Sequence, residues 1–318
     1  MPNESKNKIS VVIPVYKAAE CLKELYERLI KSISKITTDY EIIMVEDCGG
    51  DGSWEIIKQL SDVDKNLKGI QLSRNFGQHH AITAGLEHNT GDWIIVMDCD
   101  LQDRPEQVLE FYSEAIKGYD IVLGRRTERQ DNIFKILTSK LFWIIFGFLT
   151  DQNQDYAIGN FGIYSKKVIQ NLLNLKEQNR FFPLSIKWLG FKSTTIDIKH
   201  ASRFSGKSSY SFSKLMSLAI SNILCYSNKP LKLMIWIGFI TSLLSIIVGM
   251  FFIIKYLLVG SSVIGWSSVI VSLYFIGSII LMSVGIAGIY IDRVFNEVKS
   301  RPLYVINETL NLDDVDSL

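Results

Sequence analysis

This chain of 318 residues has little cysteine and almost no net charge, and two stretches near its C-terminus carry no charge at all. Cys21, Cys48, Cys99 and Cys225 are scattered, without a C-x-x-C pair or a histidine at ligand spacing. That excludes a disulfide framework and a zinc site, and leaves them as small residues in a reducing compartment. Thirty-four Lys and Arg balance 33 Asp and Glu, a net charge of +1. A global field that would gather nucleic acid is therefore absent. The opening M-P-N-E-S-K-N-K is polar and leads straight into an apolar run, which predicts no cleavable signal.

The missing charge is as informative near the other end. Leu233 to Ile254 is uncharged for 22 positions, roughly 33 Å of helix at ~1.5 Å per residue and enough to cross a bilayer. Val263 to Ile291 is also uncharged, and its Gly265, Gly277, Gly285 and Gly288 would let helices approach closely. Lys229 and Lys232 precede the first stretch, and Arg293, Lys299 and Arg301 follow the second, with only Lys255 between. The positive-inside bias predicts a multi-pass protein of the inner membrane with both termini cytosolic. Two spans suit an anchor better than a transport path, and their small-residue faces suggest a homo-oligomer.

The N-terminal part reads as alternating strands and helices. Strands are expected at Ile9–Val15, Tyr40–Val45, Gly69–Leu72, Trp93–Met97 and Asp120–Leu123, with helices at Ala19–Ile36, Ser53–Leu60, Gln78–Leu86 and Pro105–Lys117. Strands apolar on both faces imply an α/β fold with a mostly parallel sheet covered by helices. Ligands of such sheets bind beyond the carboxyl ends of the strands. Those ends carry Pro14 and Tyr16, Glu46 and Asp47, Arg74 and Asn75, and then Asp98 and Asp100. Asp98 and Asp100 are two apart in W-I-I-V-M-D-C-D-L-Q-D, so in extended geometry they share a side. Paired carboxylates at the end of a buried strand make a seat for a hard cation, Mg²⁺ or Mn²⁺, which keeps positions for water and substrate phosphate. A substrate bearing a diphosphate is expected.

Beyond Gly124 come Arg125, Arg126 and Arg129, then an apolar segment at 133–149 that reads either as a membrane-surface helix or as a core helix. Arg203 and Lys207 sit in R-F-S-G-K-S-S-Y, which suits a loop closing over phosphates or an ordinary surface loop. Residues 211–230 read as a juxtamembrane amphipathic helix. The expected division is a catalytic domain at 1–210, two membrane helices within 231–292 and a cytosolic tail at 293–318.

The stretches V-V-I-P-V-Y, I-I-M-V-E-D-C-G-G-D-G-S, L-S-R-N-F-G-Q-H-H-A-I-T-A-G-L, M-D-C-D-L-Q-D-R-P-E and N-R-F-F, with the paired C-terminal helices, resemble the GT-A nucleotide-sugar glycosyltransferases. More narrowly they resemble the polyprenyl-phosphate branch, which includes GtrB-type undecaprenyl-phosphate glucosyltransferases and dolichyl-phosphate mannose synthases. The resemblance implies a GT-A cytosolic domain and inverting transfer of a sugar, with UDP-glucose the leading donor, to a polyprenyl phosphate at the cytoplasmic membrane face. It implies that Pro14, Tyr16 and Asp47 hold the nucleoside, with Asp47 accepting from the base, and that Asp98, Asp100 and Gln102 bind the metal-diphosphate. Arg125, Arg126, Arg203 and Lys207 would meet the lipid phosphate and the leaving diphosphate, and Arg74 would add to donor binding.

The chain departs from the pattern at Glu46, Cys48 and Gly49, at Asn160 of Gly159-Asn160-Phe161, and at the displaced Lys207. Asp155 is the nearest candidate for a carboxylate facing the acceptor. A processive polysaccharide synthase would carry Q-x-x-R-W and more spans, where this chain has Gln178-Asn179-Arg180-Phe181 and two. An impaired sugar-nucleotide sensor is the non-enzymatic alternative.

Overall fold

The computed structural model describes residues 7–126, 158–178, 180–198, 227, 229–259 and 265–312. The chain divides into two compact units, one of residues 1–136, 154–209 and 301–318 and one of residues 137–153 and 210–300.

The first unit is built on β1 (Ile9–Val15), α1 (Leu22–Ile33), β2 (Tyr40–Glu46), α2 (Ser53–Val63), β3 (Leu67–Leu72), α3 (Gln78–Glu87), β4 (Trp93–Val96), α4 (Val108–Ala115), β5 (Ile121–Arg126), β6 (Ile158–Ser165), α5 (Lys166–Leu173), α6 (Phe182–Trp188), β7 (Ser193–Ile198) and β8 (Ile306–Leu310). The five early strands fall where their β-branched runs place them. Proline at position 105 opens a single 3₁₀ turn before α4, so the helix expected from Pro105 starts three residues later.

One eight-stranded sheet runs in the order β7-β5-β6-β4-β1-β2-β3-β8. The central β4, β1, β2 and β3 are parallel, and β7 is parallel to β5. β6 runs antiparallel between β4 and β5, and β8 is antiparallel to β3. Successive strand residues face opposite sides, so the buried side chains form two cores. Val11, Ile13, Ile42, Met44 and Ile95 pack on one face with Leu25 and Leu29 of α1 and Phe111 of α4. Val12, Ile43, Val45, Ile70 and Val96 pack on the other with Ala81 and Ile82 of α3 and Val168 of α5. This three-layer arrangement is the GT-A α/β architecture. At Gly85 a Cβ would collide with Val12 Cγ1, so glycine there lets α3 lie flat on β1 and β2.

β8 revises the expected tail. Residues from Arg301 on return to the first unit, and Trp54 Nε1 and Lys58 Nζ bind Glu308 at 2.9 and 2.8 Å. Asn311 Nδ2 donates to the carbonyls of Ser61 and Leu67 at 2.8 and 2.9 Å.

The second unit contains α7 (Lys229–Val259) and α8 (Trp266–Lys299), both longer than the uncharged stretches that announced them. Each holds a window long and apolar enough to cross a membrane, Leu231–Val248 and Ser272–Lys299, and neither window is buried within the protein. Tyr290 O–H donates to the carbonyl of Ser227 at 2.7 Å, tying α8 to the segment just before α7. The surface helix expected at 133–149 and nearly all of the segment 211–230 lie outside the described residues.

Candidate active site at the strand ends

Register brings the site together. Val12 pairs with Val96, and Val15 with Glu46, so β1, β2 and β4 end at a common edge. Because β6 is antiparallel to β4, with Val96 opposite Gly162, its first residues lie at that same edge. Arg125 sits opposite Ile158, which adds the end of β5. Asp98, Asn160 and Arg126 thus converge from three strands.

Asp98 Oδ1 accepts from Gln78 Nε2 at 2.7 Å, and the nearby Asn160 side chain favours its charged form. Asp100 Oδ1 accepts from the backbone N–H of Gln102 at 3.1 Å. Between them the chain turns through Leu101, a buried leucine with φ of 59°. A branched side chain in the left-handed region is uncommon, and here it closes the D-C-D-L-Q turn. Asp103 is completely buried, and its Oδ1 accepts from Arg126 Nη2 at 3.2 Å.

These acids burden one another. Burial, then the charge of Asp100, raises the Asp98 carboxyl above its ordinary range, and Arg126, Asn160 and Gln78 offset part of that. Burial, then the charge of Asp98, pushes Asp103 up to about 7. Among the described residues, three carboxylates and one arginine leave the cluster short of positive charge. A divalent cation is the group such a deficit fits, with Asp98 and Asp100 as ligands. Among the described residues there is no group of three or more His, Cys, Asp or Glu side chains disposed around a metal. A seat for Mg²⁺ or Mn²⁺ here would therefore rest on two carboxylates, with Gln102 beside them and the remaining positions left to water and phosphate.

The loops beside the acids are locked by side-chain-to-backbone bonds. Asp47 is buried, and its two oxygens accept from the N–H groups of Phe76 and Gly77 at 2.7 and 2.9 Å. Burial raises its carboxyl, and those two bonds work against the rise. Asp47 therefore holds the R-N-F-G loop, a role the reading of it as a base contact did not foresee. Glu46 Oε1 accepts from Gly49 N at 2.6 Å. A Cβ on Gly49 would lie 2.8 Å from Lys17 N, so glycine lets this turn press against the β1 exit. Asp51 fastens the same contact by accepting from Ala19 N at 3.0 Å and Ser53 Oγ at 2.7 Å.

Other expected residues divide. Tyr16 is 41% exposed at the β1 exit and offers a ring face. Arg74 is exposed, with its guanidinium 4.0 Å from the centroid of Phe76. Pro14 is buried within β1 opposite Val45. Alternation along β5 turns Arg125 away from Arg126, and its Nε donates to Asp197 Oδ1 across the β5–β7 pair at 2.7 Å. Asp155, Arg203 and Lys207 lie outside the described residues. Gln78 and Gly159 escaped the sequence reading as site residues, Asp103 entered it only as a third carboxylate after the same apolar run, and Asn160 was noted only as a departure. Gln78 follows Gly77 (φ 99°) as the first residue of α3, a position from which an amide can reach the next strand end.

The model for glycosyl transferase family 2 matches residues 10–173. The chain is 34% identical to Uncharacterized glycosyltransferase YkcC of Bacillus subtilis over 96% of this chain and 95% of that protein. It is 32% identical to the undecaprenyl-phosphate 4-deoxy-4-formamido-L-arabinose transferase of Proteus mirabilis, covering 97% and 96%. It is 31% identical to a prophage-derived bactoprenol glucosyl transferase of Shigella flexneri, covering 95% and 98%.

Proposed function

The chain belongs to glycosyl transferase family 2, and from that premise we propose that it moves a sugar from a nucleotide donor onto the phosphate of a membrane polyprenyl phosphate. The observation that carries this reading is the cluster of Asp98, Asp100 and Arg126 at the strand ends of a chain with two helices apolar enough to cross a membrane. Two relatives matched over nearly their whole length are named for transfer to undecaprenyl phosphate or bactoprenol, which supports the acceptor. UDP as the nucleotide and glucose as the sugar are the finer reading; the name of the bactoprenol glucosyl transferase supports glucose, and UDP follows from the sequence resemblance alone. Lys229 and Lys232 before α7, with Arg293, Lys299 and Arg301 toward and beyond the end of α8, favour an active site on the cytoplasmic face.

The nucleophile is a phosphate oxygen that is already ionised at neutral pH, so no strong general base is required. Its lone pair forms the bond to the anomeric carbon as the carbon–oxygen bond to the nucleoside diphosphate breaks, and configuration inverts. Mg²⁺ or Mn²⁺ held by Asp98 and Asp100, with Gln102 adjacent, would supply charge stabilisation for the departing diphosphate. Gln78 fixes the Asp98 carboxylate, Asn160 beside it favours the charged form, and Arg126 provides positive charge against two mutually repelling anionic reactants. Tyr16 offers a stacking face for the base, and Arg74 a cation for the donor phosphates.

The direct test is incubation of the purified protein with undecaprenyl phosphate and a panel of radiolabelled UDP- and GDP-sugars, followed by lipid extraction. Label in the lipid phase with one donor is expected. Donor binding without any glycolipid product would replace transfer with sensing.

A further inference from the structure

Arg126 lies among several acids but is bonded to one. Its Nη2 donates to Asp103 Oδ1 at 3.2 Å, and Asp103 Oδ2 meets no donor among the described residues. A Cβ on Gly159 would lie 3.2 Å from Arg126 Nη2 and 3.4 Å from its Cζ. The guanidinium therefore rests against the β6 backbone at the one residue that leaves room for it. The charge of Arg126 reaches Asp98 as well, yet the hydrogen bond that holds Asp98 comes from the neutral amide of Gln78. The local design separates two jobs: a cation for Asp103, and an uncharged donor for Asp98.

We propose that Asp103 is a positioning residue that keeps Arg126 seated on Gly159 and off Asp98, so that the Asp98 carboxylate is left for a divalent cation. This rests on the metal reading given under the proposed function. A guanidinium and a cation compete for the same carboxylate lone pairs. With Asp103 made neutral, Asp98, which already feels the charge of Arg126, is the carboxylate the guanidinium would turn to, and the arginine becomes an internal competitor. Gly159 serves the same end, because a methyl group there would crowd the guanidinium and push it by a few tenths of an ångström.

The test is Mn²⁺ binding, read by electron paramagnetic resonance on the full-length protein in detergent, with Mn²⁺ alone and with Mn²⁺ plus UDP. Asp103→Asn is expected to weaken binding by on the order of 10–100-fold, the usual effect of losing a partner that supports a metal site. Adding Arg126→Ala to Asp103→Asn is expected to restore it, which a merely structural role for Asp103 would not produce. Gly159→Ala, alone and with Arg126→Ala, should repeat both results without altering a buried acid, and decides the matter if Asp103→Asn does not fold. Unchanged binding in the single variants, or weakness that persists once Arg126 is removed, overturns the positioning role alone. Failure of the unaltered protein to bind Mn²⁺ in either arm overturns the metal seat, and this inference with it.

Discussion

The two edges of the same sheet treat buried carboxylates in opposite ways. At the edge where the parallel strands begin, Glu41 is almost wholly buried and richly supplied. It accepts from Ser10 Oγ at 2.5 Å, Lys68 Nζ at 2.7 Å, and Thr90 N and Oγ1 at 2.6 and 2.9 Å, with Lys8 Nζ at 3.6 Å. Burial alone would raise its carboxyl, but bonds from Lys68, Ser10 and Thr90 outweigh burial and draw it down to about 2. At the edge where the strands end, Asp98 is raised by burial and then by the charge of Asp100, and Asp103 by burial and then by the charge of Asp98. Satisfied acids hold a fold together; acids left in want of charge mark where something else must bind.

The largest expected contrast comes from removing charge at each edge. Asp98→Asn or Asp100→Asn should lower transfer by about 10²–10³-fold, the scale of losing a preorganised electrostatic group, while the melting temperature stays the same or rises. A steady-state assay beside a thermal melt decides it, and transfer within about tenfold of normal would break the contrast. Glu41→Gln should do the reverse. It should cost about 2 kcal/mol of stability, on the scale of hydrogen bonds to a charged group, and leave transfer per folded molecule intact. The Glu41 contribution has a defined pH window. A lowered folded-state pKa stabilises the fold above the ordinary value of 4.5 and loses that contribution as pH falls from there to about 2. Acid unfolding of the Glu41→Gln protein should therefore converge with that of the unaltered protein near the bottom of that range.

Smaller effects sharpen the comparison. Mn²⁺ near 100 times its dissociation constant should stabilise the unaltered protein by about 2.7 kcal/mol, seen as a rise in melting temperature. Glu41→Gln should keep that rise and Asp98→Asn should lose it. Arg125→Ala should change least. Its partner Asp197 is exposed, so melting temperature and transfer should both stay near those of the unaltered protein. A large loss of transfer would return Arg125 to the site.

How far the sequence foretold this depended on locality. β1 to β5 were legible because apolar β-branched runs between turn signals have few other ways to be buried. The acids were legible because D-C-D places two carboxylates at a strand end. β8 was not: I-N-E-T-L is short and polar, and its partner β3 lies more than 230 residues earlier. β6 was hidden by the two glycines of I-G-N-F-G-I-Y-S, which weaken a strand signal. Adjacent arginines at 125 and 126 read as one basic cluster, and only pairing with β6 and β7 showed that they face apart.

The late strand β8 also constrains the chain between Ile198 and Ile306. It lies downstream of both long apolar helices, but its hydrogen-bonding partner lies far upstream of them. If that intervening chain enters a bilayer, it must come back to the leaflet it left, so its crossings are even in number. An added or deleted span would strand β8 on the far side of the lipid and leave β3 an open edge, so the sheet itself polices membrane parity.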